Sequence, residues 1–486
     1  MEISKISGKV VLRNSFWKLF ESIGSSGIQI LVTIIMARLL TPHDYGLMAI
    51  VLVVITFLGL FLNSGIASYL VYIKDIKKED FLTALVINIA TSFVLLLLLV
   101  LSAEKIASYY SAPSLSPLII TMAITLPFNA ISSVYNAYAA KLSHFKTLFI
   151  RNMVALPVSG IIAMIMAYTG FGVWALVGQQ VSASILLAVI MFFSIRIDVD
   201  GNWFFKLSMI KPMLSYGGFT LLSTIIAFIS DNISDLLIAK KFNPQQLGYY
   251  NRGGHFPSSF SNIANNVLCG VMFPAFASYN SNMLELKEKF RKTVRLLYYG
   301  VVPLFLGLIA CSKPLIVTLL TEKWADAIPI MQIMCVFFMA IPFLQTGSQV
   351  YLATGFVKLR MVGELIKMIF TIFLLFFFIN YGVEAVAFSR VLVNILLIVY
   401  SVILNKIILN YRISEFFSDM LRPFGVGACV FACTYPLIFL DIESVYILIL
   451  QLLAGLLSYI SCMKILKIAE MHEMMSMVLE RIKKKR

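Results

Sequence analysis

The chain has 486 residues, of which 60% are hydrophobic and only 13% are charged. A soluble protein carries about 25% charged residues, so this composition excludes a soluble enzyme and predicts many membrane spans. The net charge of +15 does not indicate nucleic-acid binding, because the cations lie in short loops between apolar segments. The six cysteines show neither a disulfide framework nor metal-ligand spacing.

Apolar segments long enough to cross a bilayer, about 20 residues each, occur fourteen times along the chain. Their approximate limits are 14–39, 45–72, 80–102, 115–139, 149–169, 172–195, 213–239, 247–273, 294–311, 328–352, 357–380, 383–405, 422–440 and 444–463. Between them, Glu104–Ser116 and Lys313–Ala327 are predicted to form short helices at the membrane interface, where Tyr109 and Trp324 suit the depth.

The cations test this count of spans. Most of the 39 Lys and Arg residues lie in the tails and in the even-numbered loops. The odd-numbered loops hold only Arg38, Lys105, Lys240, Lys241, Lys313 and Lys323. Because positively charged loops stay in the cytoplasm, this alternation predicts that both termini are cytoplasmic.

An internal repeat divides the chain. Residues 37–46 reappear as residues 239–248, with Ala, a cation, a Thr/Asn-Pro turn and Gly in register. The segment from Gly172 matches the segment from Gly382 at a similar shift. Each copy contains six predicted helices, an even number, so the copies enter the membrane in the same direction as parallel repeats.

The repeat predicts five regions of the chain. These are an N-terminal lobe at 1–195, a cytoplasmic linker at 196–212, a C-terminal lobe at 213–405, two extra helices at 406–465 and a basic cytoplasmic tail at 466–486.

Two six-helix repeats plus two extra helices resemble the polysaccharide-transporter branch of the multidrug/oligosaccharidyl-lipid/polysaccharide exporter superfamily, the Wzx-type flippases. The most telling segment is Asn14–Gly46, with Arg38-Leu39-Leu40-Thr41-Pro42 and Tyr45-Gly46. The resemblance implies an all-α, V-shaped, two-lobed carrier in the bacterial cytoplasmic membrane. By alternating access it would flip undecaprenyl-diphosphate-linked oligosaccharide for O-antigen or exopolysaccharide synthesis. Membrane lipids, a monovalent cation or proton, and a polysaccharide polymerase are compatible partners.

Two other functions stay open at this point. A cation-coupled multidrug exporter would share the superfamily fold, but that class usually has 12 helices. A membrane glycan polymerase usually carries a large outer loop with catalytic charges, and the outer loops here are short. The sequence has no P-loop, zinc-ligand spacing or Ser/His/Asp arrangement, so we predict no catalytic residue, metal site or cofactor.

Charged residues inside the spans are candidates for the substrate site, because an ionisable side chain in a span is costly unless it is paired or faces water. Lys18 and Glu21 lie one turn apart near the cytoplasmic end of the first span, and snorkelling is an alternative for Lys18. Glu364 and Lys367 share one face of the eleventh span. Lys367 lies about 15 Å deep, so it either pairs with Glu364 or lines a wet cavity.

The remaining candidates lie on three further spans. Arg390 suits a phosphate, because the planar guanidinium fork binds two oxygens at once. Lys367, Arg390, Lys18 and Arg252 are therefore predicted to bind the diphosphate. Asp231 and Asp235 share one face of the seventh span, and with Glu21 and Glu364 they are predicted to hold a coupling ion or form ion pairs. Asp235 and Arg252 flank a tight turn at equal distances, which predicts that they pair.

Overall fold

The computed structural model describes residues 8–63, 68–73, 76–142, 144–197, 199–202, 204–279 and 282–466. Some helical side chains, including those of residues 8–23, are also outside the description. The described residues form α-helices joined by short turns and contain no strand, so the predicted all-α fold class is confirmed. The predicted basic tail falls almost entirely outside these ranges.

The helices follow the predicted segments closely. In chain order they are α1 (Gly8–Leu39), α2 (Pro42–Phe61), α3 (Ser68–Tyr72), α4 (Lys78–Tyr109), α5 (Leu115–Ala123), α6 (Thr125–Lys141), α7 (Phe145–Tyr168), α8 (Trp174–Ser194), α9 (Ile210–Lys241), α10 (Pro244–Ser278), α11 (Met283–Leu320), α12 (Ala327–Ala353), α13 (Val357–Phe378), α14 (Val383–Leu409), α15 (Ile413–Thr434) and α16 (Ser444–Ile465).

Twelve helical segments among the described residues are long and apolar enough to cross a membrane. The other two predicted spans correspond to α1, whose described apolar part is the shorter segment Gly24–Leu39, and to α10. The first half of α10 is rich in glutamine, asparagine and glycine, which lowers its hydropathy. A polytopic fold of about fourteen long helices is therefore observed.

The chain divides into two compact units, Met1–Asn251 and Arg252–Arg486. This division follows spatial contacts, whereas the predicted lobes at 1–195 and 213–405 follow the sequence repeat. The limits of the lobes therefore stay a prediction.

The predicted interfacial helices are wrong. Helix α4 continues to Tyr109 and α11 continues to Leu320, so about half of each segment forms the last turns of a long helix. Trp324 follows α11 in a short 3-10 turn and is fully buried in protein. Each helix is longer than the roughly 20 residues that cross a bilayer, because apolar residues between its charges continue the helix.

Polar side chains hold the end of α2 in the first unit. The Nδ2 atom of Asn88 on α4 donates to the carbonyl oxygens of Leu62, at 3.2 Å, and Ala130, at 3.0 Å. The hydroxyl of Ser133 on α6 donates to the same Leu62 oxygen at 3.0 Å. All of these contacts are buried, so they satisfy a helix-end carbonyl that has no partner within α2.

The predicted linker at 196–212 lies against the start of α4. The amide of Asn202 donates to Oε1 of Glu79, and the amide of Lys206 donates to Oγ1 of Thr83, each at 3.0 Å. Gly201 has φ +107°, and a Cβ atom there would lie 2.3 Å from Oε2 of Glu79. The linker is thus anchored at a position that requires glycine.

Candidate substrate-binding site

One face of α13 carries three charged residues, which we call the α13 charged face: Arg360, Glu364 and Lys367. Their spacing of four and three residues places them above one another on the helix. The rest of α13 is strongly apolar, and Phe373 and Phe376 are largely exposed, as expected for side chains that contact lipid. The charged face therefore stands out from an otherwise lipid-compatible helix.

The α13 charged face borders a cavity of about 80 Å³ between α12, α13 and α14. We call this space the α13 cavity, and it is lined by Leu344, Ser348, Tyr351, Leu359, Arg360, Gly363, Glu364, Lys367, Leu397, Tyr400 and Ser401. The sequence left two alternatives for Lys367, pairing with Glu364 or lining a cavity. The structure shows both, since Nζ of Lys367 lies 3.9 Å from Oε2 of Glu364.

The opposite wall of the cavity is built from hydroxyl groups. The Tyr400 hydroxyl donates to the carbonyl oxygen of Leu359 at 2.8 Å, which ties α14 to the start of α13. The Tyr351 hydroxyl lies 3.1 Å from Oγ of Ser401, which ties α12 to α14. A Cβ atom on Gly347 would lie 2.8 Å from the same Ser401 oxygen, so α12 and α14 pack closely here.

The arrangement suits a small anion. Arg360 is exposed, while Lys367 is about one-fifth exposed and lies about 10 Å further along the helix. The separation of 3.9 Å between Lys367 and Glu364 is too long for a hydrogen bond. Oε2 of Glu364 is buried and accepts no hydrogen bond from a described residue. Lys367 and Glu364 thus form an ion pair without a hydrogen bond between these two atoms, at the edge of a cavity.

Arg390 lies elsewhere on α14 and is not among the residues that line the α13 cavity. Its guanidinium carbon lies 4.5 Å from the ring centre of Phe337 on α12, a cation–π geometry. The side chain of Asn394 donates to the Phe337 carbonyl at 2.8 Å. The predicted binding role of Arg390 stays a prediction, and its position is a separate contact between α12 and α14.

The remaining candidates lie on α1, α9 and α10. Lys18 and Glu21 are on α1, where their side chains are outside the described residues. On α9, Asp231 is exposed and Asp235 is half-buried. Arg252 is half-buried and begins the second unit, whereas Asp235 belongs to the first. The pairing of Asp235 with Arg252 stays a prediction.

Sequence reasoning missed an ion network between α11 and α15, here the α11–α15 ion network. Arg291 donates to both carboxylate oxygens of Asp419 and to Glu415, each at 2.9 Å. Lys287 pairs with Glu415 at 2.8 Å. The Tyr411 hydroxyl donates to Asp419 at 3.1 Å. Burial, reinforced by the charge of Asp419, raises the pKa of Tyr411, so this tyrosine keeps its proton and remains a donor.

Spacing in the sequence could have revealed both the acidic pair and the basic pair of the α11–α15 ion network. Glu415 and Asp419 are four residues apart, as are Lys287 and Arg291, so each pair lies on one helix face. The predicted thirteenth span began at residue 422 and left the two acids in a loop, but α15 begins at Ile413. The hydroxyl wall of the α13 cavity has no comparable signal, because single tyrosines and serines in apolar helices are common.

Comparison with known proteins finds two relatives, one solved structure and one family model. The chain is 24% identical over 327 residues to the succinoglycan biosynthesis transport protein ExoT of Rhizobium meliloti (strain 1021), covering 67% of this chain and 66% of that protein. It is 23% identical over 321 residues to the lipopolysaccharide biosynthesis protein WzxC of Escherichia coli (strain K12), covering 66% and 65%. The matched region thus spans just under two thirds of each relative's length.

The fold is similar to that of a solved lipid II flippase, MurJ, in an inward closed conformation, with a TM-score of 0.74. The alignment covers 94% of this chain and 98% of that structure at 15% identity, which shows a shared fold. Residues 35–329 match the family model described as polysaccharide biosynthesis protein. Since this match covers more than half of the sequence, the chain belongs to the polysaccharide biosynthesis protein family.

Proposed function

We propose that this protein flips a lipid-linked oligosaccharide across the bacterial cytoplasmic membrane for the synthesis of a surface or exported polysaccharide. It acts as an alternating-access carrier and not as an enzyme. The observation that carries the proposal is the α13 cavity, where two cations, a loosely paired carboxylate and several hydroxyls meet inside an apolar protein of this family. A diphosphate-linked glycan presents the anionic and hydroxyl-rich groups that such a cavity complements.

The α13 charged face provides two successive binding contacts for the phosphates, first Arg360 and then Lys367. Arg360 is exposed near the start of α13, so it meets the diphosphate first and binds two oxygens through its planar fork. Lys367 is deeper, and its ammonium donates to a phosphate oxygen once it has separated from the Glu364 carboxylate. The carboxylate then competes for Lys367 again, which limits the residence time of the anion. Binding and release of this kind need neither a nucleophile nor a metal, since no bond is broken.

The proposed orientation places both termini in the cytoplasm, because the tails and even-numbered loops hold most cations. Reporter fusions after Lys78 and Arg412 are then expected to read cytoplasmic, and a fusion after Asn243 is expected to read external. An external signal at Arg412 would contradict the orientation. With this orientation the α13 cavity opens in the cytoplasmic half of the membrane, where a lipid-linked precursor is made.

The test is flipping by the purified full-length protein in proteoliposomes that contain an undecaprenyl-diphosphate-linked oligosaccharide. We expect Lys367→Ala to slow flipping by about tenfold or more, the equivalent of one lost hydrogen bond between charged groups, with unchanged abundance. Lys358→Ala is the matched control, because Lys358 is on the same helix and exposed but does not line the cavity.

A multidrug exporter of the same superfamily is the rival function. The similarity to the solved flippase shows the fold alone, so the choice of substrate rests on the family and on the cationic cavity. Proteoliposomes loaded with cationic drugs separate the two functions, since cations are repelled by Arg360 and Lys367. Drug transport without glycan flipping, or full flipping by Lys367→Ala, would contradict the proposal.

A further inference from the structure

The starts of α2 and α10 are two copies of one motif, and we call their meeting point the glycine crossing. Thr41 caps α2 with a capping box, and the side chain of Asn243 accepts a hydrogen bond from the amide of Gln246 at 2.9 Å in α10. Each helix then begins with a proline, Pro42 or Pro244. One turn later, on the same face as the proline, each copy has a glycine.

The two copies touch reciprocally through their backbones. A Cβ atom on Gly46 would lie 1.6 Å from the carbonyl oxygen of Pro244, and a Cβ atom on Gly248 would lie 1.9 Å from the carbonyl oxygen of Pro42. All four residues belong to the unit Met1–Asn251. The obstructing atoms are backbone oxygens fixed in helices, so they cannot move aside as a flexible side chain does. Only glycine at both positions allows this approach, in which Cα–H groups face carbonyl oxygens.

A second contact joins the same pair of repeats near the crossing. The ammonium of Lys240, at the end of α9, donates to the carbonyl oxygen of Tyr109 and lies 4.3 Å from the centre of the Tyr109 ring. It therefore caps the end of α4, where helix carbonyls lack partners and a cation is favourable. Further along α2, the Phe57 ring lies 5.7 Å from that of Phe228 on α9.

The crossing and the Lys240 contact join helices of the first repeat to the opening helices of the second, at the side that the loop charges predict to be external. The Phe57–Phe228 contact lies about 20 Å further along α2 and α9. We infer that the glycine crossing is the closing contact of an external gate, which forms when the carrier accepts substrate from the cytoplasm and parts when it releases substrate outside. This inference rests on the proposed carrier function. Weak Cα–H···O contacts and one exposed cation can part at low cost, as a reversible gate requires.

The test compares glycine-to-alanine variants of the full-length protein by hydrogen exchange and mass spectrometry in lipid nanodiscs. Gly46→Ala and Gly248→Ala each add a methyl group that the closed crossing cannot hold. We expect exchange to rise at the starts of α2 and α10 and at the ends of α4 and α9. Overpacking of this kind shifts a population by about tenfold. The double variant is expected to resemble each single variant, because one methyl group already parts the helices.

Matched controls lie on the same two helices. A Cβ atom on Gly59 of α2 would be 3.9 Å from its nearest neighbour, Nδ2 of Asn63, and one on Gly254 of α10 would be 3.9 Å from Cγ of Met334. Gly59→Ala and Gly254→Ala make the same chemical change without a clash. They are expected to leave exchange at the crossing unchanged.

Two results would overturn the inference. Unchanged exchange in both crossing variants would show that the contact tolerates a side chain, and increased exchange at every helix end would show a packing contact only. If these variants do not accumulate in the membrane, Lys240→Gln decides, because Lys240 is exposed and its loss adds no volume. Raised exchange at the starts of α2 and α10, which lie beyond the helix end that Lys240 caps, supports the gate, and unchanged exchange there refutes it.

The readout does not depend on the transported molecule. If the wild-type protein fails to flip lipid-linked glycan while the crossing variants show the expected exchange, the proposed substrate is wrong and the gate stands. If flipping is found but exchange does not change, the gate is wrong and the proposed function stands.

Discussion

Two charged regions of the second unit differ in how fully their charges are paired. In the α11–α15 ion network, Arg291 makes three hydrogen bonds of 2.9 Å to two carboxylates, and Asp419 is almost completely buried. On the α13 charged face, the Lys367–Glu364 pair is 3.9 Å long and borders a cavity. The first arrangement satisfies its groups within the protein, whereas the second leaves room for an outside ligand.

The difference separates a structural role from a binding role. Removing one partner of a saturated buried network leaves an uncompensated charge and destabilises the fold. Removing one partner of a loose pair next to a cavity changes affinity for an anion more than it changes stability. Charge inside a membrane protein is therefore a useful indicator of function only when the geometry of its partners is known.

The largest expected effect is in the network. Asp419→Ala removes the acceptor of two Arg291 hydrogen bonds and one Tyr411 hydrogen bond. We expect the protein to lose about 3–5 kcal/mol of stability, measured as a lower thermal midpoint and lower membrane abundance. Asp441→Ala, at an exposed loop acid, is the control and is expected to have no effect. An unchanged thermal midpoint in Asp419→Ala would contradict the structural role of the α11–α15 ion network.

The next effect is in the cavity. Glu364→Gln removes the carboxylate that competes for Lys367 while it keeps the shape of the side chain. We expect tighter substrate binding by about tenfold, the value of a hydrogen bond to a charged group. The maximal flipping rate is expected to fall, because release is slower. Flipping kinetics in proteoliposomes give both values, and a parallel loss of affinity and thermal stability would instead indicate a structural pair.

A smaller effect is expected at Arg390. Arg390→Gln removes the cation from the Phe337 ring, a contact worth about 0.5–2 kcal/mol. If Arg390 binds the diphosphate as the sequence predicts, flipping falls while the thermal midpoint changes little. Phe337→Leu is the matched variant, because it removes the ring and keeps the cation. Equal losses of stability in both variants, with normal flipping, would assign Arg390 to the packing of α12 against α14.

The smallest effect is expected at Tyr400. Tyr400→Phe removes the hydroxyl that donates to the Leu359 carbonyl, a single hydrogen bond worth about 1 kcal/mol. The thermal midpoint is expected to fall slightly, and flipping is expected to persist. A loss of flipping as large as that of Lys367→Ala would show that the hydroxyl contacts the substrate directly.

The sequence predicts the fold well because apolar length and loop charge are local properties. The fourteen segments, the two extra helices and the repeated Pro-Gly motif can all be recognised without coordinates. The predicted ends of helices were less accurate. Residues such as Asp419 were assigned to a loop, because charged residues were taken to end a span, whereas in the protein they find partners on a neighbouring helix.

The candidate site was only partly predictable. The Glu364–Lys367 pair follows from spacing on one helix, and its distance agrees with that expectation. The hydroxyl wall and the glycine crossing depend on contacts between helices far apart in the chain. No periodicity in one sequence records which serine faces which tyrosine, or that the glycine of one motif copy meets the proline of the other.

The anchored linker described above sets where α9 can pivot. Its last hydrogen bond to α4 is made by the amide of Lys206, and α9 begins at Ile210, so only the 3-10 turn Leu207–Met209 lies between them. Three residues span at most about 10 Å and leave α9 little slack to slide along α4. If α9 tilts about this short tether, its first residue, Ile210, stays in place and its far end, at Lys240, moves furthest. The linker thus favours pivoting of α9 about its first residue over sliding of α9 along α4.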